Sequence, residues 1–119
     1  MISTEPAAGS YSVVSGWGAL SSNDTTLSSQ LQAVELNITV RTACNSSYTP
    51  DQWITLNMIC AGVSGLGICN GDFGGPLVVG GQLAGIASWG IGCADVQHPA
   101  VYANVARLKS FVTLVTGVQ

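Results

Sequence analysis

At 119 residues the chain is long enough to bury one core and too short for two, and no stretch approaches the roughly 18 uninterrupted apolar residues that span a bilayer. Charged residues make up only 8% of it, against roughly 25% in an ordinary globular protein, while apolar residues stand at 47%. A net charge of −3, with Arg41, Arg107 and Lys109 the only basic residues, leaves no positive patch for a phosphate backbone, so neither nucleic acid nor a membrane is expected as a partner.

The predicted elements are short strands with one terminal helix. Residues 1–6, Met1 to Pro6, have neither the basic nor the apolar stretch of a secretory leader, so any leader is expected upstream. Tyr11 to Trp17 is β-branched and aromatic and ends in Gly16-Trp17-Gly18, a strand running into a turn. Ser21 to Ser29 is small and polar, a loop. Gln30 to Val40 alternates through Leu31, Ala33, Leu36, Ile38 and Val40 with a slip at Val34, which predicts a half-buried strand with a bulge. Ala43 to Asp51 opens a short helix or an irregular loop, and Leu56 to Ala61 is a short buried strand. Leu77-Val78-Val79 and Gln82 to Trp89 flank Gly80-Gly81, a two-residue connection able to take the positive φ angles of a hairpin turn. Pro99 to Val105 gives a last strand. From Val105 the apolar positions move to helical spacing at Val105, Leu108, Phe111, Val112 and Val115, with Asn104 as the cap.

Four cysteines without a C-x-x-C pair, beside a single histidine, fit two disulfides better than a zinc site, with three pairings open. Sequons at Asn23, Asn37 and Asn45 are usable only in the secretory pathway; Asn23 and Asn45 are the better acceptors, because Asn37 falls in a predicted strand. Both features point to an extracellular, oxidising destination. No cofactor and no metal is expected. Asp72-Phe73-Gly74 spells the magnesium-binding triplet of protein kinases, but the chain has no H-R-D loop and no strand lysine to accompany it.

The most informative segment is Cys69-Asn70-Gly71-Asp72-Phe73-Gly74-Gly75-Pro76. It resembles the nucleophile loop of the trypsin-like serine endopeptidases, and Ser15-Gly16-Trp17-Gly18, Met58 to Gly62, Ser88-Trp89-Gly90 with Cys93, and Pro99 to Tyr102 resemble further motifs of that family in its order and spacing. The resemblance implies the C-terminal barrel of a two-barrel domain, an all-β, six-stranded antiparallel Greek-key barrel with a C-terminal α-helix over residues 1–119. The first barrel, which carries the family's catalytic histidine and aspartate, has no counterpart in these residues.

Carried over by position, the resemblance places Phe73 where the nucleophilic serine stands, and a benzyl group cannot form an acyl intermediate. Gly71 and Phe73 hold the oxyanion-hole backbone positions. Asp72 matches the aspartate that receives a new N-terminal ammonium group on activation. With no such terminus at hand it is expected either solvated or buried without its usual partner, in a loop that is disordered or zymogen-like. Gly67 takes the floor of the primary pocket and Gly90 and Ala100 its walls, which favours an apolar side chain; Ser88, Trp89 and Gly90 would pair with substrate backbone. The implied disulfides are Cys44–Cys60 and Cys69–Cys93. His98, with Asp95 as a speculative partner, reads as a solvated loop residue and not as a base.

Three readings of function stay open on the sequence. The chain is a portion of a secreted endopeptidase that is inactive as written, a noncatalytic homologue that binds a protein or peptide, or a truncated product with no selected function. The expected partners are a protein or peptide ligand, the missing first barrel, or a second copy meeting the exposed barrel face.

Overall fold

The computed structural model describes residues 1–21, 23, 24, 26–62, 67–93 and 97–119. In chain order the elements are β1 (Tyr11–Gly16), β2 (Gln32–Asn37), α1 (Arg41–Tyr48), β3 (Met58–Ala61), β4 (Pro76–Val79), β5 (Gln82–Trp89), β6 (Ala100–Asn104) and α2 (Val105–Thr116). The six strands form one antiparallel sheet in the order β2-β1-β4-β5-β6-β3. Its two outer strands meet where Ile38 bridges Ala61, and the Thr39 N–H donates to the Cys60 carbonyl at 2.9 Å beside it. Curling shut in this way removes the free edges that an open sheet leaves for aggregation.

Strand alternation explains the interior. Val14, Leu36, Ile38, Ile59, Leu77 and Tyr102 turn inward from five strands or strand ends and meet in one buried cluster. A second cluster forms beneath α1, where Cys44 and Tyr48 pack on Ile54, Cys60 and Val101. The Cys44–Cys60 disulfide ties that helix to β3. Gly80 and Gly81, at φ 56° and 78°, make the tight connection between β4 and β5 that the two glycines predict.

Two strand and helix expectations need correction. The β1–β2 pairing runs in unbroken register from Tyr11 opposite Asn37 to Gly16 opposite Gln32, with no bulge. Val34, Leu36 and Ile38 are the inward set, while Leu31, Ala33 and Val40 are exposed. The apparent slip at Val34 came from joining apolar residues of opposite faces into one pattern. In α2, Asn104 caps as expected, its Oδ1 accepting from the Arg107 N–H at 3.4 Å. Val105 is buried and Leu108 and Val112 are half-buried, but Phe111 and Val115 are 65% and 67% exposed. The helix packs chiefly on β5 and β6, so its buried stripe is narrower than its apolar one.

The N-terminal segment is strapped across the barrel. The Ile2 N–H donates to the Leu83 carbonyl at 2.9 Å, and Arg41 forks onto the Glu5 carboxylate at 2.7 and 3.1 Å. Asn104 donates to the same carboxylate through its side-chain amide. These contacts, Arg41 foremost, outweigh partial burial and hold the Glu5 carboxyl below its ordinary value. A depressed carboxyl contributes stability above the unfolded-state value and loses it as the pH falls. Because Glu5 is well exposed, the contribution is small. Acid titration of unfolding is expected to show a steeper loss below about pH 4.5 in the natural chain than in Glu5→Gln, and parallel curves would contradict this.

Candidate active-site loop and its carboxylate

The loop from Gly67 to Pro76 leaves the barrel after β3 and returns to it as β4. The Cys69–Cys93 disulfide fixes its start, and two bonds to β5 fix its end: Gly74 N–H to the Ala87 carbonyl at 2.8 Å and Ala87 N–H to the Gly75 carbonyl at 2.9 Å. Inside the loop, the Asp72 N–H donates to the Cys69 carbonyl and the Gly75 N–H to the Asp72 carbonyl, each at 3.0 Å. Both disulfides therefore pair as the family resemblance implies.

Asp72 is the hub. Its Oδ1 accepts from the Gly18 N–H at 2.8 Å and its Oδ2 from the Cys69 N–H at 2.9 Å. The carboxylate is half-buried and is held by two backbone donors. The loop, expected to be disordered or zymogen-like, is tied by these bonds to the end of β1. A Cβ on Gly16 or Gly18 would collide with the Asp72 carboxyl, which gives a physical reason for the glycines on either side of Trp17. The Ala19 N–H donates to the Asn70 carbonyl at 2.8 Å, and Leu27 lies over Gly71.

A cavity of about 210 Å³ opens beside this carboxylate. Asp72, Gly67, Cys69, Cys93, Gly18 and Gln32 are among the residues that line it. The sequence did not foretell it, since its lining comes from four segments distant along the chain. Gly71 is exposed and Phe73 is 45% exposed, so the benzyl group stands at the surface of the loop.

Gly67 lines the Asp72 cavity, whereas Ser88, Trp89, Gly90 and Ala100 lie at the far end of β5 and the start of β6. A Cβ on Gly90 would lie 3.6 Å from the Ala100 Cα, so those two positions adjoin. The β5–β6 register shifts between Ala87 and Trp89, and β4 pairs with β5 no further than Ile86. Beyond Ala87, the β4 side of Ser88 to Gly90 carries no strand partner among the described residues.

His98 is a half-buried member of an aromatic cluster, which corrects its reading as a solvated residue. Its ring packs 5.2 Å from that of Tyr48, which meets Trp89 edge-on at 4.9 Å and donates its hydroxyl to the Pro99 carbonyl at 2.6 Å. Sequence reasoning missed Tyr48 because nothing in its local context marks it. Asp95 lies outside the described residues. Tyr102 is fully buried with no hydrogen-bond partner for its hydroxyl among them, and burial, then the Asp72 charge, pushes its ionisation well up. Among the described residues no helix is long and apolar enough to cross a membrane, and no cluster of three or more His, Cys, Asp or Glu could hold a metal ion.

A closed antiparallel barrel with a C-terminal helix, carrying a disulfide-anchored Gly-Asp-x-Gly-Gly loop, defines the trypsin-like class of fold. The trypsin family model matches residues 2–112, and the chain belongs to that family. It is similar to trypsin delta of Drosophila melanogaster, with 50% identity over 113 residues, 94% of this chain and 45% of that protein. Trypsin alpha-3 of Lucilia cuprina is 51% identical over 108 residues, 90% of this chain and 65% of that protein. Among solved structures, neuropsin, a serine protease expressed in the limbic system of mouse brain, superposes with a TM-score of 0.91 at 34% identity, covering 97% of this chain and 52% of that one. The chain thus spans about half the length of the curated relatives it matches best in this group.

Proposed function

We propose that residues 1–119 are the C-terminal barrel portion of a secreted trypsin-like serine endopeptidase domain and that the chain as written does not hydrolyse peptide bonds. What supports this reading is Phe73, which the family resemblance puts at the nucleophile position, in a loop held by Asp72 and by Cys69–Cys93. Two disulfides fit an oxidising destination and support secretion. Gly71 and Phe73 retain backbone N–H groups at the oxyanion-hole positions, but a donor pair without a nucleophile binds a carbonyl and goes no further.

The remaining machinery is equally incomplete within these residues. The one histidine, His98, packs against Tyr48, and position 73 carries no hydroxyl for a base to deprotonate. The Asp72 carboxylate, with a cavity at its side, retains room for the ammonium group that the family's activation supplies; the chain's own first residues run elsewhere, with Ile2 bonded to Leu83. Gly67, Gly90 and Ala100 bring no charge to the primary pocket and favour an apolar side chain in a complete relative. The unpaired side of Ser88 to Gly90 supports their role as the segment on which an extended peptide adds a strand.

A serine-directed phosphonate added to the purified chain is expected to leave its intact mass unchanged. Stoichiometric labelling would overturn the proposal.

A noncatalytic binding role has its own support. Phe111, Leu114 and Val115 leave an apolar strip on α2 that is 65% to 86% exposed, with Trp17 and Leu20 exposed on the loop after β1. A protein surface over these residues, the family's first barrel or a second copy, would bury them. Sedimentation is expected to show self-association of the lone chain; a monomer persisting at high concentration would contradict it.

A further inference from the structure

The geometry points to Asn37 as an N-glycan acceptor whose first sugar packs on the ring of Tyr11. Asn37-Ile38-Thr39 is a sequon, and Asn37 is the last residue of β2 with its side chain exposed. The strand position that argued against it in the sequence turns out to favour it. Ile38 faces the core, so both its neighbours in the strand direct their side chains to the other face.

Tyr11 stands directly opposite Asn37 in the β1–β2 register and is 74% exposed. Directly opposed residues of an antiparallel pair share a face, with Cβ atoms about 5 Å apart. Two residues along the same face, Val13 is exposed beside Glu35, and both border a shallow groove with Tyr11. A pyranose ring attached to the Asn37 side-chain nitrogen therefore begins within reach of an aromatic face that the protein leaves uncovered. Its C–H groups can lie on that ring and remove it from water.

Of the other two sequons, only that of Asn45 lies wholly among the described residues, and it is less well placed. Asn45 is half-buried in α1, and its Oδ1 accepts from the Ile54 N–H at 2.8 Å. Asn23 needs Thr25, which lies outside the described residues.

The attachment joins C1 of an N-acetylhexosamine to Nδ2 of Asn37. It breaks the C1–oxygen bond to a polyprenyl pyrophosphate donor, and the amide proton leaves with the released pyrophosphate. The inference rests on the secretory reading above. Translating the full chain behind an added leader, with microsomes present, supplies that compartment, so a failure there counts against the site and not against secretion.

Enzymatic deglycosylation in heavy-oxygen water, followed by peptide mass mapping, is expected to convert Asn37 to labelled aspartate. The label should be lost in Thr39→Ala and kept in Thr39→Ser. Unlabelled Asn37 in the translocated natural chain overturns the site. For the platform, the glycosylated protein is expected to unfold at higher urea than its Asn37→Gln counterpart, and that difference should vanish when both carry Tyr11→Ala. An equal difference with and without Tyr11 overturns the sugar–ring contact.

Discussion

Replacing Asp72 with alanine is expected to loosen the Gly67–Pro76 loop from the end of β1 and to cost roughly 3 to 6 kcal/mol, two charge-assisted hydrogen bonds at about 1.5 to 3 kcal/mol each. The loss is large because it is not confined to the acceptor. The Gly18 and Cys69 N–H groups, now bonded at 2.8 and 2.9 Å, would be left facing the cavity with only water to replace the carboxylate. Asparagine at the same position keeps one acceptor oxygen but turns an NH2 group toward the second N–H, so Asp72→Asn should fall between alanine and the natural chain. Urea unfolding gives the free energy, and amide exchange locates it. Faster exchange is expected at Gly18 and Cys69, with the β3–β6 amides slowed or hastened only through the global change. An Asp72→Ala protein of undiminished stability would mean that the carboxylate is not the hub of this loop.

The second large effect lies in the barrel. Leu77 has no exposed surface, follows directly from the loop at the start of β4, and is a member of the main buried cluster. A Cβ on Gly85 would come within 3.0 Å of its Cδ2, so its surroundings are tight on at least one side. Leu77→Ala is expected to cost about 2 to 5 kcal/mol, the sum of lost transfer energy and an unfilled cavity. That is a large fraction of the roughly 5 to 15 kcal/mol by which domains are stable. Leu114→Ala makes the comparison, since Leu114 is 86% exposed and its truncation should fall within about 0.5 kcal/mol of zero. Equal costs at the two positions would contradict the placement of the core.

Much of this architecture is legible in the residues. The Gly80-Gly81 hairpin, the Asn104 cap and the terminal helix follow from local rules that tertiary contacts then reinforce. The β2 face was misread because Leu31 and Ala33 are apolar on the outside; Leu36 and Ile38 set the register only once their pairing with β1 is known. Phe111 and Val115 share helical spacing with Val105, yet whether a neighbour covers an apolar position is not written in the position itself.

The candidate site was legible in identity and not in arrangement. The Cys69–Pro76 loop and both disulfide pairings followed from the family resemblance. What it did not supply was the set of donors that hold Asp72. Backbone N–H groups are the same in every residue, and Gly18 becomes distinctive only because a side chain there would occupy the space of the carboxylate. His98 was misjudged for a similar reason. Its surroundings are made by Tyr48, fifty residues away in sequence and joined to the same loop by its bond to Pro99.

Peptidase chemistry asks for more than one atom. On the proposed reading Phe73 stands where the family has its nucleophile, and a serine restored there would, within these residues, still lack the base and orienting acid that the family's first barrel carries. The most direct measurement is a side-by-side reaction of the natural chain and Phe73→Ser with a serine-directed phosphonate and with an amide substrate bearing an apolar residue before the scissile bond. The account predicts that the natural chain takes no label and that neither protein turns the substrate over above the uncatalysed rate. Stoichiometric labelling of the natural chain, or turnover by Phe73→Ser alone, would contradict it.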